Sequence, residues 1–227
     1  MYLRTRDDSL GHAPAIGTNS WHPSPPMGFG SYPGEIRRGP DGRAYRWTAS
    51  VDGLGNAGGF WTVAADKAKK AWRQLAEKLR KLVANGVLNN ANITLATGHV
   101  SGTADNANAR QNIDDTSRGI DASRSSYGNA PGGTVKLDIQ LLTSILKLAE
   151  TFSFSISELA GGSHSAGSRH YDGVTVDVNV INGQHVGAGH PDLANFKQAC
   201  RDLGATEVLG PGNPGHATHV HCAWPRP

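Results

Sequence analysis

The chain has 227 residues, 37% of them hydrophobic, with 22 Lys and Arg against 19 Asp and Glu, a formal charge of +3 and a pI near 9.0. That length buries an ample core, so one domain with extensions is the default, and the mild basicity favours anionic polymers without implying nucleic acid. Two cysteines, Cys200 and Cys222, exclude a disulfide scaffold; no apolar run is long enough to span a membrane; and the opening M-Y-L-R-T-R-D-D-S-L-G-H lacks the apolar stretch of an export signal.

Residues 1 to 40 are rich in Pro, Gly and Ser, with P-S-P-P at 23 to 26, and read as a linker or delivery segment. Asp41-Gly42 signals a turn, Arg43 to Val51 a strand, and Phe60 to Val63 its partner in a small hairpin whose aromatics Tyr45, Trp47, Phe60 and Trp61 form its core, the preferred reading, or otherwise a sugar-stacking face. Residues 1–62 are thus an N-terminal extension and 63–227 the main domain. From Ala64 to Ala84 the spacing of Ala68, Trp72, Leu75, Leu79 and Leu82 predicts a helix that buries this stripe and stops at Asn85-Gly86. Its other face carries seven Lys and Arg, ordinarily a solvated face and otherwise a patch for an anionic polymer.

Asn92 to Gly98 reads as a strand. Ser101 to Gly133 is long and polar, either an irregular surface stretch or a flank of a cleft in which Arg110, Arg118 or Arg124 holds a carboxylate. Leu137 to Ala149 is an amphipathic helix, and Phe152 to Ser157 alternates as a strand with Phe152, Phe154 and Ile156 inward. Glu158 ends that strand at the entrance of a histidine loop. Asn182-Gly183 marks a turn, Pro191 starts a helix that Gly204 ends, and Thr206 to Leu209 and Thr218 to Trp224 are strands. Cys200 and Cys222 fall at apolar positions of a helix and a strand, as buried thiols or as a single bridge. The order of elements predicts an α+β domain with a small, mostly antiparallel sheet and flanking helices.

Seven of the ten histidines lie from His164 to His221. That density points to metal or proton chemistry. Val174 to Ile181 is β-branched and alternating, which puts the carboxylate of Asp177 on a buried strand, where it needs a cation or several donors. His170, in the preceding loop, can share such a cation. In H-A-T-H-V-H, His219 and His221 project from one face of a strand. Two histidines and a carboxylate suit tetrahedral zinc with one position left to water.

Ser168, His170, Gly173 and Asp177 stand in the spacing S-x-H-x-x-G-x-A-x-D, with Thr175 at the Ala, and His219-Val220-His221 supplies an H-x-H near the C-terminus. The pair of motifs, within 136–227, resembles the zinc D-Ala-D-Ala carboxypeptidase and dipeptidase superfamily, which includes phage endolysin peptidases and the hedgehog signalling domain. The resemblance implies a hedgehog/DD-peptidase-like fold, His170, Asp177 and His221 as Zn2+ ligands, and His219 as an unliganded histidine beside the metal. It further implies a metallopeptidase hydrolysing peptide cross-links or stem peptides of bacterial peptidoglycan by a water that zinc activates and a histidine assists. The carboxypeptidase branch has a general-base Glu where Thr218 stands. A histidine, His219 first, takes that role, with Glu158 as second candidate. Relatives carry an Arg that grips the substrate carbonyl; Arg169 or an arginine of the 101–133 stretch would serve. His164 and His216 are read as supporting histidines. Without a leader, such an enzyme is expected to be made in the cytoplasm and to reach the wall or periplasm by non-classical export, through a phage particle or injection apparatus, with no membrane insertion. Three other readings remain: an inactive hedgehog-like zinc-binding module, a metal-free phosphoesterase built on His99-Val-Ser101 and His216-Ala-Thr218, and a histidine-rich core that holds no metal.

Overall fold

The computed structural model describes residues 36–40, 44–51, 57–63 and 65–226. The chain divides into two compact units, Met1–Leu75 and Ala76–Pro227. In the first, β1 (Ile36–Arg38), β2 (Ala44–Val51) and β3 (Ala57–Val63) form an antiparallel sheet in that order, with Trp47 opposite Trp61. Tyr45 and Trp47 are buried. The expected turn at Asp41-Gly42, the linker over residues 1–35 and the side chains of Phe60 and Trp61 lie outside the described residues.

Helix α1 (Ala65–Leu88) crosses the division between the units. Two expectations fail here. The helix does not stop at Asn85-Gly86: Gly86 lies inside it, where a Cβ would sit 3.1 Å from Leu146 Cδ1, so the glycine serves close packing instead of termination. Nor does the helix bury the stripe of Trp72, Leu75, Leu79 and Leu82, which are 69%, 54%, 45% and 67% exposed. It docks through Ala84 and Val87, with Val83 and Leu88 partly covered. That face lies more than a third of a turn round the helix from the exposed stripe.

The second unit continues with β4 (Ile93–Leu95), α2 (Ala109–Arg118), β5 (Ala122–Ser123), β6 (Thr134–Val135), α3 (Ile139–Leu148) and β7 (Phe154–Glu158). It ends with β8 (Thr175–Ile181), β9 (Gln184–His185), α4 (Leu193–Asp202), β10 (Glu207–Leu209) and β11 (Val220–Ala223). The main sheet runs β10-β11-β8-β7-β4, with β9 on β8; only β4 and β7 are parallel. This is an α+β fold with a mostly antiparallel sheet. One sheet face is apolar: Val176 and Val178 of β8 and Val220 and Cys222 of β11 join a core with Leu141, Leu142, Ile145 and Phe196, and the rings of Phe152 and Phe154 meet Phe196 edge-on. Alternation sends Asp177, Asn179 and His221 to the other face.

The polar 101–133 stretch contains a capped helix. Asn108 accepts from the Gln111 N–H at the start of α2, and Gly119, at φ 85°, closes its end. Its apolar residues Ala109 and Ile113 are too widely spaced among polar ones to stand out in the sequence. Cys200 and Cys222 are free, buried thiols, and burial followed by the neighbouring Cys200 pushes the Cys222 thiol well up. No described helix is long and apolar enough to cross a membrane.

Candidate metal centre

Three adjacent strands place a row of ionisable side chains across the polar face of the sheet. Asp177 of β8 pairs with His221 of β11 on one side and Glu158 of β7 on the other. Directly opposed residues of antiparallel strands point to the same face, so all three converge. Glu158 gets there through an irregularity: the β7–β8 register shifts between Ile156 and Glu158, which places Ser157 and Glu158 together against Asp177. Strict alternation would have turned Glu158 into the core with Phe154 and Ile156; the bulge re-aims it.

His170 is delivered by local chemistry. Ser168 caps a 3-10 turn over Arg169–Asp172 by accepting from the His170 N–H, and Gly173, at φ 70°, ends the turn by donating to the His170 carbonyl. A Cβ on Gly173 would collide with the Lys136 carbonyl. Gly173→Ala should therefore cost about 1–3 kcal/mol of stability in chemical denaturation, from backbone strain and this collision together; an unchanged midpoint would show that the turn relaxes freely.

The His170 ring is fully buried, and its Nδ1–H donates to the Leu159 carbonyl. That fixes the tautomer and turns Nε2 toward Asp177 Oδ1, 3.2 Å away, and His221 Nδ1, 3.3 Å away. His221 Nδ1 also lies 2.9 Å from Asp177 Oδ1, while its Nε2 is 3.0 Å from Glu207 Oε1. Each histidine thus has one nitrogen anchored by an outer acceptor and the other directed inward, the arrangement that supports metal-ligating imidazoles. The Asp177 carboxyl is held well below the usual carboxylate range: burial pushes it up, but the His170 charge and the His170 and His221 hydrogen bonds outweigh burial.

His164 also reaches this point. Its ring stacks on His170 with centroids 3.7 Å apart, and His164, His170 and Asp177 each offer a ligand atom within 4.8 Å of the others. Burial, then the neighbouring His170, lowers its pKa to about 4, so it is a neutral imidazole at pH 7. Burial lowers the His170 pKa, but the Asp177 charge and hydrogen bond outweigh burial and raise it, so a cation is favoured at this point. The donor set, imidazole nitrogens and an ionised carboxylate on anchored rings, fits a divalent ion such as zinc, which would take the place of that proton. His170 and Asp177 are common to either grouping; His221 and His164 both stand close enough to be the third donor. His219 Nε2 lies 3.8 Å from Asp177 Oδ2, and burial lowers its pKa, with Asp177 opposing and His216 adding to the fall.

A second cluster adjoins the first and was not legible as a unit in the sequence. Buried His99 is bonded on both nitrogens, Nδ1 to Glu158 at 2.8 Å and Nε2 to Asp105 at 2.6 Å. Burial lowers the His99 pKa, yet the two carboxylates more than compensate and raise it. Burial raises the Glu158 pKa despite His99, whereas at Asp105 the His99 hydrogen bond outweighs burial and lowers it, so the His99 charge pairs chiefly with the ionised Asp105, at the shorter distance. Gly162, with φ 77°, lets this cluster approach the metal residues: a Cβ there would lie 3.1 Å from both Glu158 Cδ and His164 Nε2.

Glu158 of the second cluster and His164, Asp177, His219 and His221 line a cavity of about 1200 Å³ whose wall also includes Ser101, Tyr127, Arg169 and Arg226. Arg169 donates to Thr206 Oγ1 at 2.9 Å on this wall. The three arginines expected from the polar stretch are elsewhere: none of them lines the cavity. Arg118 pairs with Asp114 and Asp115, and Arg124 donates to the Tyr171 carbonyl. Of the two H-x-[ST] segments, Val100, Ser101, His216 and Thr218 line the cavity, but His99 does not and is held by carboxylates on both nitrogens.

The fold and the site define an α+β protein with a buried histidine–carboxylate centre suited to a divalent metal. Over 67 residues the chain is 40% identical to the zinc D-Ala-D-Ala carboxypeptidase of Streptomyces albus G, a stretch covering 30% of this chain and 22% of that protein. The match thus spans about a fifth of the relative's length and supports a relationship to that family. No protein-family model matches the chain, and no solved structure matches it.

Proposed function

We propose that this chain is a zinc-dependent peptidase acting on stem peptides or cross-links of bacterial peptidoglycan, with a hedgehog/DD-peptidase-like fold. The observation that carries the reading is the meeting of His170 Nε2 and His221 Nδ1 on one oxygen of buried Asp177. The partial similarity to a zinc carboxypeptidase supports it.

In this reading His170, Asp177 and His221, or His164 in place of His221, hold the ion. Bound zinc supplies Lewis acidity, polarising a peptide carbonyl and making water acidic enough to lose a proton near neutrality. Glu158, whose pKa burial raises, takes that proton on one side of Asp177 and passes it to the leaving amine. His219, on the other side, orients the water or stabilises the developing oxyanion. Arg169, tethered by Thr206 in the cavity wall, binds a substrate carboxylate or carbonyl. Thr218 is exposed and offers no carboxylate; in this reading Glu158 takes the general-base role that the carboxypeptidase branch assigns to that position.

Elemental analysis of the purified chain, followed by incubation with purified peptidoglycan and mass spectrometry of the released peptides, tests this reading. About one zinc per chain and new peptide termini are expected. Zinc without cleavage would favour the hedgehog-like binding module; a folded chain that takes up no zinc would remove the proposal. His219→Ala should retain the metal and lose about 100-fold or more in kcat.

A further inference from the structure

We propose that the exposed face of α1 formed by Trp72, Leu75, Leu79 and Leu82 lies on an anionic phospholipid bilayer. The proposal is independent of the metal centre. Among the described residues the exposed large hydrophobics are these four with Val100 and Ile120, so most of them fall on one helix, at successive spacings of three, four and three. That spacing makes one continuous stripe. A contiguous exposed apolar stripe marks an interaction surface, and α1 already satisfies its own core through the separate Ala84 and Val87 face.

Charge selects the partner. Over Ala65–Leu88 the helix carries Lys67, Lys69, Lys70, Arg73, Lys78, Arg80 and Lys81 against Asp66 and Glu77. A second copy would set two strongly basic helices side by side, which like-charge repulsion opposes. Lys69 is one turn from Trp72, and Lys78 is one turn from both Leu75 and Leu82; Lys69, Lys70, Arg73 and Lys78 are exposed. Stems at those positions can run along the apolar stripe while their ammonium groups rise to headgroup phosphates. Tryptophan and leucine on one side with lysines beside them is the composition of a helix that lies in the membrane interface. The helix has too many charges to cross the bilayer, in keeping with the absence of a spanning segment among the described helices.

The test uses the full chain and co-sedimentation with vesicles rich in phosphatidylglycerol or made of phosphatidylcholine alone. The chain should sediment with the first and not the second, with tryptophan emission shifting to the blue. Leu79→Glu and Leu82→Glu, both at exposed positions and checked for unchanged circular dichroism, should weaken partitioning by about tenfold or more. Trp72→Ala should lose the blue shift, and Lys69→Gln with Lys70→Gln and Lys78→Gln should remove the preference for anionic lipid. No sedimentation with anionic vesicles at low salt overturns the proposal, as does equal partitioning of Leu79→Glu and the parent. Self-association abolished by Leu79→Glu without vesicle binding would assign the stripe to a second copy. Shielding of Trp72 from acrylamide in the free chain would assign it to another segment of the same chain. An acidic protein that binds the stripe while anionic vesicles do not would assign it to a protein groove. Each of these three results overturns the membrane assignment.

Discussion

His170→Ala and Asp177→Ala proteins should purify folded with less than about a tenth of the parent's zinc, because each removes a donor common to both groupings of ligands. The two should differ when metal-free. Without His170, Asp177 keeps its hydrogen bond from His221; without Asp177, the His170 and His221 nitrogens, 3.3 Å apart, face each other with no anion between them. Asp177→Ala should therefore destabilise the metal-free chain more than His170→Ala does, by about 1–3 kcal/mol for the buried groups left unpaired. Loss of bound metal adds to both: a ligand present at about 1000 times its Kd contributes about 4 kcal/mol, and in a domain of this size each kcal/mol moves Tm by about 2–4 °C. Metal analysis and thermal denaturation with and without a chelator measure the two contributions separately. His164→Ala and His221→Ala, compared in the same way, identify the third donor as the one whose loss empties the site. Full zinc occupancy in a folded Asp177→Ala protein would refute the ligand set.

The second large effect is expected at Glu158. Glu158→Gln keeps the side-chain shape and one hydrogen bond to His99 but cannot accept a proton, so zinc content should be unchanged and kcat should fall by about 100-fold or more with KM little altered. His99→Gln should also retain zinc and reduce kcat by a smaller factor, since it loosens Glu158 instead of removing it. Stability gives a readout that does not depend on activity. The folded His99 pKa lies above its ordinary 6.5. Protonated His99 therefore stabilises the fold in full below that value, and the contribution is lost as pH rises through the higher folded pKa. Asp105 is shifted down, so its share is present above its ordinary 3.8 and lost as pH falls through the folded value. The metal-free parent should exceed His99→Gln in denaturation midpoint most at about pH 5 and least at about pH 9. A difference that does not change with pH would mean that His99 is neutral in the folded chain.

Much of the centre was visible in order along the chain. The strand carrying Asp177, the loop carrying His170 and the strand carrying His221 each declare themselves by short-range rules: β-branched alternation, a Ser-capped turn closed by a glycine, and a period of two. Those rules act over a few residues, so a linear reading captures them. The α+β class follows likewise, because the apolar periods of α3, α4, β7 and β8 are regular.

What the linear reading could not reach depends on residues far apart. His99 gains its charge from Asp105 and from Glu158, 59 positions away. Glu207 anchors His221 only because β10 and β11 pair. Glu158 faces the centre because the β7–β8 register slips by one, which no pattern within β7 encodes. The same limit explains α1: periodicity found its apolar stripe, but which side of a helix meets the core is decided by the surface it meets, and here Ala84 and Val87 fit that surface while the stripe is left outside. The sequence by itself determined most of the elements and the residue types able to hold a metal, because local sterics and side-chain chemistry suffice for both. Only the tertiary structure decided which side chains share a proton and which face of a helix is spare, because those outcomes depend on strand register and packing between distant segments.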